Sequence, residues 1–377
     1  MNMEIQRRGI IYDATQSSDA EKIAYTTSLV VLDSGVLLAG WQMGTEKHTP
    51  HNTIGLARST DGGQSWQRIP HRFEHVLNGV PGSFLAAEMV EAVPGRLQIY
   101  STWVNRTDPT LPLFNPETEG LLPTKIVVCE STDDGDSWSA WREIDTGELK
   151  GCAVTGPILK WSDGSIGCSF ESFKEFDDPS PVEPGAWIVV SRDAGNSFAS
   201  PTLIAQDPTH GKYFWDQRLA TKSEPGAYVG MFWTHNRAEQ CDMNVHIIHG
   251  STEQVTNANT IPTETVIEGQ ICACAADGNR VLAVVVDREQ PGTIALWISK
   301  DNGASWGIED RMVLHQHDEQ ALLTQGRTDI DYVEYWDDMA KWSFGHPAIQ
   351  KINDGWLVAW YAGLPDRMSI HFTILSE

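Results

Sequence analysis

One eight-residue phrase recurs along the chain and constrains its fold more than any other feature. It reads Ser59-Thr60-Asp61-Gly62-Gly63-Gln64-Ser65-Trp66, and it returns at residues 131–138 and 299–306, with a copy at 191–198 that ends in Phe198. Each copy follows an apolar, strand-like run such as Ile126-Val127-Val128 or Trp187-Ile188-Val189-Val190. The octet describes a tight turn. Its Asp can bond backbone amides, its Gly takes a positive φ, and its aromatic residue falls back onto the sheet.

A second repeat runs beside the first. Turns around Gly35, Gly95, Gly164, Gly226, Gly278 and Gly355 are each flanked by β-formers and read as hairpins. Four of the five intervals between these glycines contain an octet. In the other, Ser251-Thr252-Glu253-Gln254 resembles a decayed copy. The pattern implies six units of four short antiparallel strands: an all-β, six-bladed β-propeller forming one domain over residues 1–377. Gly9-Ile10-Ile11-Tyr12 is then the natural outer strand of the sixth blade.

Composition narrows the partners. Fifty-one acidic against 27 basic side chains give a formal charge of −24, which argues against nucleic acid or an anionic membrane. A few Arg in one pocket can still overrule that field for an anionic sugar. No long apolar segment follows Arg7 and Arg8, and no run approaches a membrane span, so a cytoplasmic protein is expected. The six cysteines lack paired spacing and read as free thiols; no His spacing recommends a metal site. Oligomeric state is not legible.

Blade order places the loops between second and third strands, and the entries to each blade, at one end of the sheets, where chemistry is expected. Tyr213-Phe214-Trp215-Asp216-Gln217-Arg218 joins three aromatics to an Asp and an Arg at the entry to blade four. A desolvated Asp216 beside Arg218 is a candidate acid/base, and Trp215 a face for a sugar ring. An ordinary loop-ordering ion pair is the plainer reading of the same residues. Glu171 supplies a second carboxylate, and His235 and Arg237 leave blade four near Asp216. Arg288 is the best candidate to grip a carboxylate or hydroxyls, with Lys47 in the first loop. Tyr335, Trp336 and His346 precede the sixth blade, the aromatics as a platform over the channel or as loop packing.

The octets and the blade count resemble the Asp-box of the sialidase-like β-propellers over essentially the whole chain. That resemblance implies that the box is a structural turn on the outer rim, so that its Asp residues serve folding. It also implies a carbohydrate substrate and a metal-independent, exo-sialidase-like glycoside hydrolase without a cofactor, acting on an acidic or hydroxyl-rich sugar. The chain departs from the catalytic pattern of sialidases, which use three Arg, a Tyr–Glu pair and an Asp. Ile23-Ala24-Tyr25-Thr26-Thr27 lacks the Arg-Ile-Pro signature, Asp216 falls near the family's Glu, Arg288 matches the third Arg, and His346 stands in the Tyr position. Two further readings stay open. One is a lyase on a uronate-containing glycan, with Arg288 neutralising the carboxylate and His235, His346 or Tyr335 moving protons. The other is a non-catalytic propeller that binds a glycan or a protein.

Overall fold

The computed structural model describes residues 3–239, 241–253, 263–289, 291–317 and 339–376. From the amino terminus, β1 (Glu4–Tyr12) precedes a first blade of β2 (Ile23–Val31), β3 (Leu37–Gly44), β4 (Thr53–Ser59) and β5 (Gln67–Ile69). The short β6 (Val76–Leu77) leads into the second blade, β7 (Val80–Val93), β8 (Arg96–Asn105), β9 (Thr124–Ser131) and β10 (Arg142–Ile144). Blade three is β11 (Lys150–Lys160), β12 (Ile166–Phe173), β13 (Gly185–Ser191) and β14 (Thr202–Ala205). Blade four is β15 (Lys212–Thr221), β16 (Ala227–Asn236), β17 (Cys241–Ser251) and β18 (Thr263–Glu268). Blade five is β19 (Cys272–Asp277), β20 (Arg280–Asp287), β21 (Gly292–Ser299) and β22 (Arg311–His317). Blade six is β23 (Phe344–Ile352), β24 (Gly355–Leu364) and β25 (Arg367–Ser376), completed by β1 lying antiparallel to β25.

By its contacts the chain divides into two compact units. Unit 1 comprises Met1–Leu113, Leu122–Ile144 and Ser343–Glu377, and carries blades six, one and two. Unit 2 comprises Phe114–Leu121 and Asp145–Trp342, and carries blades three, four and five. In unit 1 a parallel pairing, Ile23 with Met368, joins blades six and one into one continuous sheet.

The six glycine turns join first to second strands in every blade. Strands inside the blades are buried on both faces: every residue of β3 and all of residues 281–286 are buried. That is why these strands read as near-continuous apolar runs and not as alternating ones. Apolar cores fill the spaces between blades within each unit. In unit 1, one packs Trp41, Tyr25 and Phe372 between blades one and six, and another packs Leu38, Phe84 and Ile99 between blades one and two. In unit 2, Trp161, Phe214 and Phe232 fill the core between blades three and four. Val229 and Met231 of blade four meet Val281, Ala283 and Val285 of blade five in the next.

The four octets stand between third and fourth strands and share one hydrogen-bond set. Ser59 Oγ donates to Asp61 Oδ1 (2.8 Å) and accepts the Gly63 N–H (2.9 Å), while the Ser65 N–H and hydroxyl donate to the two Asp61 oxygens (2.9 and 2.6 Å). Asp133, Asp193 and Asp301 are held in the same way. The bonds from the following Ser hydroxyl and amide hold all four carboxyls down at about 2. These Asp residues spend their hydrogen-bonding capacity on their own turns, as the sequence reading expects.

The linkage has a definite sign. A carboxyl depressed in the folded state contributes stability that is present above the unfolded value of about 4 and is lost as pH falls toward 2. The urea midpoint is therefore expected to fall steeply between pH 5 and pH 2. Replacing the four Asp by Asn should flatten that fall; an unchanged slope would show that the turns are not its source.

Candidate active site

Four first strands carry the same two-residue irregularity, and in blade four it builds the site. Along β15 the pairing with β16 runs regularly to Trp215 opposite Trp233, then resumes at Arg218 opposite Met231. Two residues, Asp216 and Gln217, thus face the single Phe232, which is a β-bulge. Asp216 takes φ +48°, a region that Asp tolerates better than most residues. The bulge breaks the alternation of the strand and sets two consecutive polar residues opposite one residue of β16.

The equivalent insertions are Thr26-Thr27 in β2, Ala86-Ala87 in β7 and His346-Pro347 in β23, with the first residue of each at positive φ. Blade three has a longer form, Thr155-Gly156-Pro157 opposite Ser169.

Glu171 comes from β12, where it pairs with Ala186 of β13. Its carboxyl reaches β15 and accepts the Gln217 N–H at 3.1 Å. Asp216 Oδ1 accepts from Arg218 at 3.3 Å, with Arg218 only 3% exposed and Asp216 16%. The second Arg218 nitrogen donates to the Gln217 carbonyl at 3.2 Å. Arg288, 1% exposed, lies with its guanidinium 3.9 Å from the centre of the Trp342 ring, and its charge acts on Asp216. Stacking a guanidinium on indole stabilises a buried cation where water is excluded.

These surroundings treat the two carboxyls unequally. Burial pushes Glu171 up to about 8, the Asp216 charge adds to this, and the Gln217 amide and Arg218 oppose it. Burial also raises Asp216, but the Arg218 charge and hydrogen bond and the Arg288 charge pull the other way. The Asp216 charge thus favours a proton on Glu171, and the two guanidiniums favour the ionised form of Asp216.

A chain of aromatic contacts starts at Trp215, the residue before Asp216. His235 stacks on Trp215 at 5.4 Å and 12°, Trp215 meets Trp233 edge-on at 4.8 Å, and Trp233 meets Trp342 at 5.7 Å. On the strand ladder, His235 stands opposite Tyr213. Arg237 is exposed, lies over the Tyr213 ring and donates to the His210 carbonyl. Unit 2 thus brings together Glu171, Asp216, Arg218 and Arg288, with Trp215 and His235 beside them.

The remaining expected residues belong to unit 1 or fall outside the described residues. In unit 1, Lys47 Nζ donates to Tyr361 Oη at 3.2 Å and sits over the rings of Tyr361 and Tyr25. The Tyr25 hydroxyl accepts the His48 N–H at 2.9 Å, and Arg106 donates to the His48 carbonyl at 3.0 Å. Burial, with the charges of Lys47 and Arg106, pushes His48 down to about 3, so its imidazole is neutral. His346 occupies the bulge of β23. Tyr335 and Trp336 lie outside the described residues. Among the described residues no group of three or more His, Cys, Asp or Glu is placed to hold a metal ion.

No family model matches the chain. A sialidase of Bacteroides fragilis (strain YCH46) is 24% identical over 313 residues, covering 76% of this chain and 55% of its own. The chain thus spans about half the length of that relative. A Hadza microbial sialidase superposes with a TM-score of 0.67 at 15% identity, over 98% of this chain and 68% of its own. An α-L-arabinanase of Penicillium chrysogenum, complexed with arabinobiose, gives a TM-score of 0.62 at 13% identity over 98% of both chains. With its four-stranded antiparallel blades and these neighbours, the chain has a six-bladed β-propeller fold similar to that of the microbial sialidase and the arabinanase.

Proposed function

We propose that the chain is a glycoside hydrolase in which Glu171 gives a proton to the leaving glycosidic oxygen while Asp216, ionised, faces the positive charge that develops on the sugar. The observation that supports this most is the unequal treatment of two half-buried carboxyls that act on each other. Burial and a neighbouring negative charge raise one, and two guanidiniums oppose the rise of the other. Glycoside hydrolysis needs such a pair, one acid and one carboxylate, flanking the scissile bond. Arg218, by its hydrogen bond, and Arg288, by its charge, favour the ionised form of Asp216. The names of the relatives make sialosides and arabinans the first carbohydrates to try.

The test is hydrolysis of aryl sialosides, aryl α-L-arabinofuranosides and arabino-oligosaccharides across pH. The acid must be protonated to act, so kcat/KM is expected to fall as pH rises through about 8, the value to which Glu171 is raised. On the acid side it should fall as Asp216 takes up its proton. A profile flat from pH 6 to pH 10 would remove Glu171 from the reaction.

A second reading, elimination on a uronate-containing glycan, draws support from the Lys47 ammonium beside the Tyr361 hydroxyl, a pairing suited to proton abstraction. Product absorbing in the ultraviolet would favour it over hydrolysis.

A further inference from the structure

We propose that Gln217 is a positioning residue, which fixes the Glu171 carboxyl relative to Asp216 by interlocking the bulges of blades three and four. The inference rests on the catalytic reading of that pair. Gln217 is 0% exposed and uses its polar groups on both partners at once. Its N–H donates to Glu171 Oε1 at 3.1 Å, and its carbonyl accepts from Arg218 at 3.2 Å, the guanidinium that binds Asp216. Its side-chain amide donates to the carbonyls of Phe170, at 2.5 Å, and Trp187, at 3.1 Å. Phe170 immediately precedes Glu171, so pinning its carbonyl pins the backbone from which the acid extends.

The facing bulge is shaped to admit this residue. A Cβ at Gly156 would stand 2.5 Å from the Gln217 carbonyl oxygen and 2.6 Å from Ser169 Oγ. Gly156 is thus the position that lets β11 approach the bulge of β15. Shape alone does not call for glutamine at 217, because its side-chain oxygen is buried with no described partner. A buried acceptor without a partner is unfavourable, and an apolar side chain of similar size avoids it. The donor contacts are what glutamine supplies.

The charged groups acting on Glu171 are Asp216 and Arg218, both from β15, and Gln217 touches Glu171 and Arg218. Its N–H favours the ionised acid, and so does the guanidinium it steadies. Loosening Gln217 should therefore move the Glu171 titration further up. The experiment is a carboxyl ¹³C NMR titration of Glu171 in the wild-type chain, Q217L and G156A, with kcat and KM measured on the substrate the wild type cleaves. Expected in both variants are an upward displacement of about half a unit or more, and a kcat lower by about 10-fold or more at nearly unchanged KM.

Two sites of change guard against a folding failure in one of them. A Glu171 titration in Q217L and G156A that coincides with the wild type, even with altered urea midpoints, would overturn the positioning role. The catalytic reading fails separately, through an E171Q protein that keeps its activity; the titration still decides the role of Gln217.

Discussion

E171Q and D216N should each lose about 10²- to 10⁴-fold in kcat, with KM changed far less. Both substitutions keep the size of the side chain. E171Q leaves an amide that can still sit against the Gln217 N–H but cannot give a proton to a leaving oxygen. D216N leaves a neutral group facing Arg218 and Arg288, so the charge that should meet the developing cation is gone. The two losses should differ with the leaving group: an activated aryl glycoside needs little proton donation and should partly rescue E171Q, but not D216N. Equal rescue of both, or of neither, would contradict the assigned roles.

The largest effect on stability is expected from Arg218. It lies 3% exposed between the Asp216 carboxyl and the Gln217 carbonyl. In R218M the Asp216 charge stays buried without that partner, a change that typically destabilises by about 3–5 kcal/mol. The sign of its pH dependence follows from the raised carboxyls. Glu171 and Asp216 both hold protons more tightly folded than unfolded, so their contribution is present at low pH and is lost as pH rises through their folded values. Removing Arg218 raises those values further and moves the loss to higher pH. R218M should therefore lie far below the wild type in urea midpoint at pH 8 and approach it at pH 5. A deficit of the same size at both values would mean that lost packing, and not an uncompensated charge, is responsible.

Much of the architecture is legible because it is written in local turn chemistry. An octet must satisfy its own Asp, and a hairpin glycine its own φ, within a few residues. Strand number and blade order therefore survive without any knowledge of long-range contacts. Tyr12 and its neighbours are readable as the outer strand of the sixth blade for the same reason, since one blade otherwise lacks a strand.

The site is legible in part. Glu171, Asp216, Arg218 and Arg288 stand out as charges within or beside apolar strands, and these four share unit 2. What the chain does not announce is the bulge that presents Asp216. Its counterparts are Thr26, Ala86 and His346, which share no residue type, because a bulge demands a register and not a side chain. Gln217 is silent in the sequence because its role lies in backbone and amide contacts to β12 and β13, remote along the chain. The cluster of Tyr25, Lys47 and Tyr361 is hidden likewise: its members come from opposite ends of the chain, and of the three only Lys47 carries a charge.

The most direct test of the central claim, that Glu171 and Asp216 together flank a scissile glycosidic bond, is a crystal structure of E171Q soaked with an oligosaccharide that the wild type cleaves. The scissile oxygen should lie within hydrogen-bond reach of the side chain at position 171, with the sugar's anomeric carbon facing the Asp216 carboxylate. A glycan held with its scissile bond away from both side chains would contradict it.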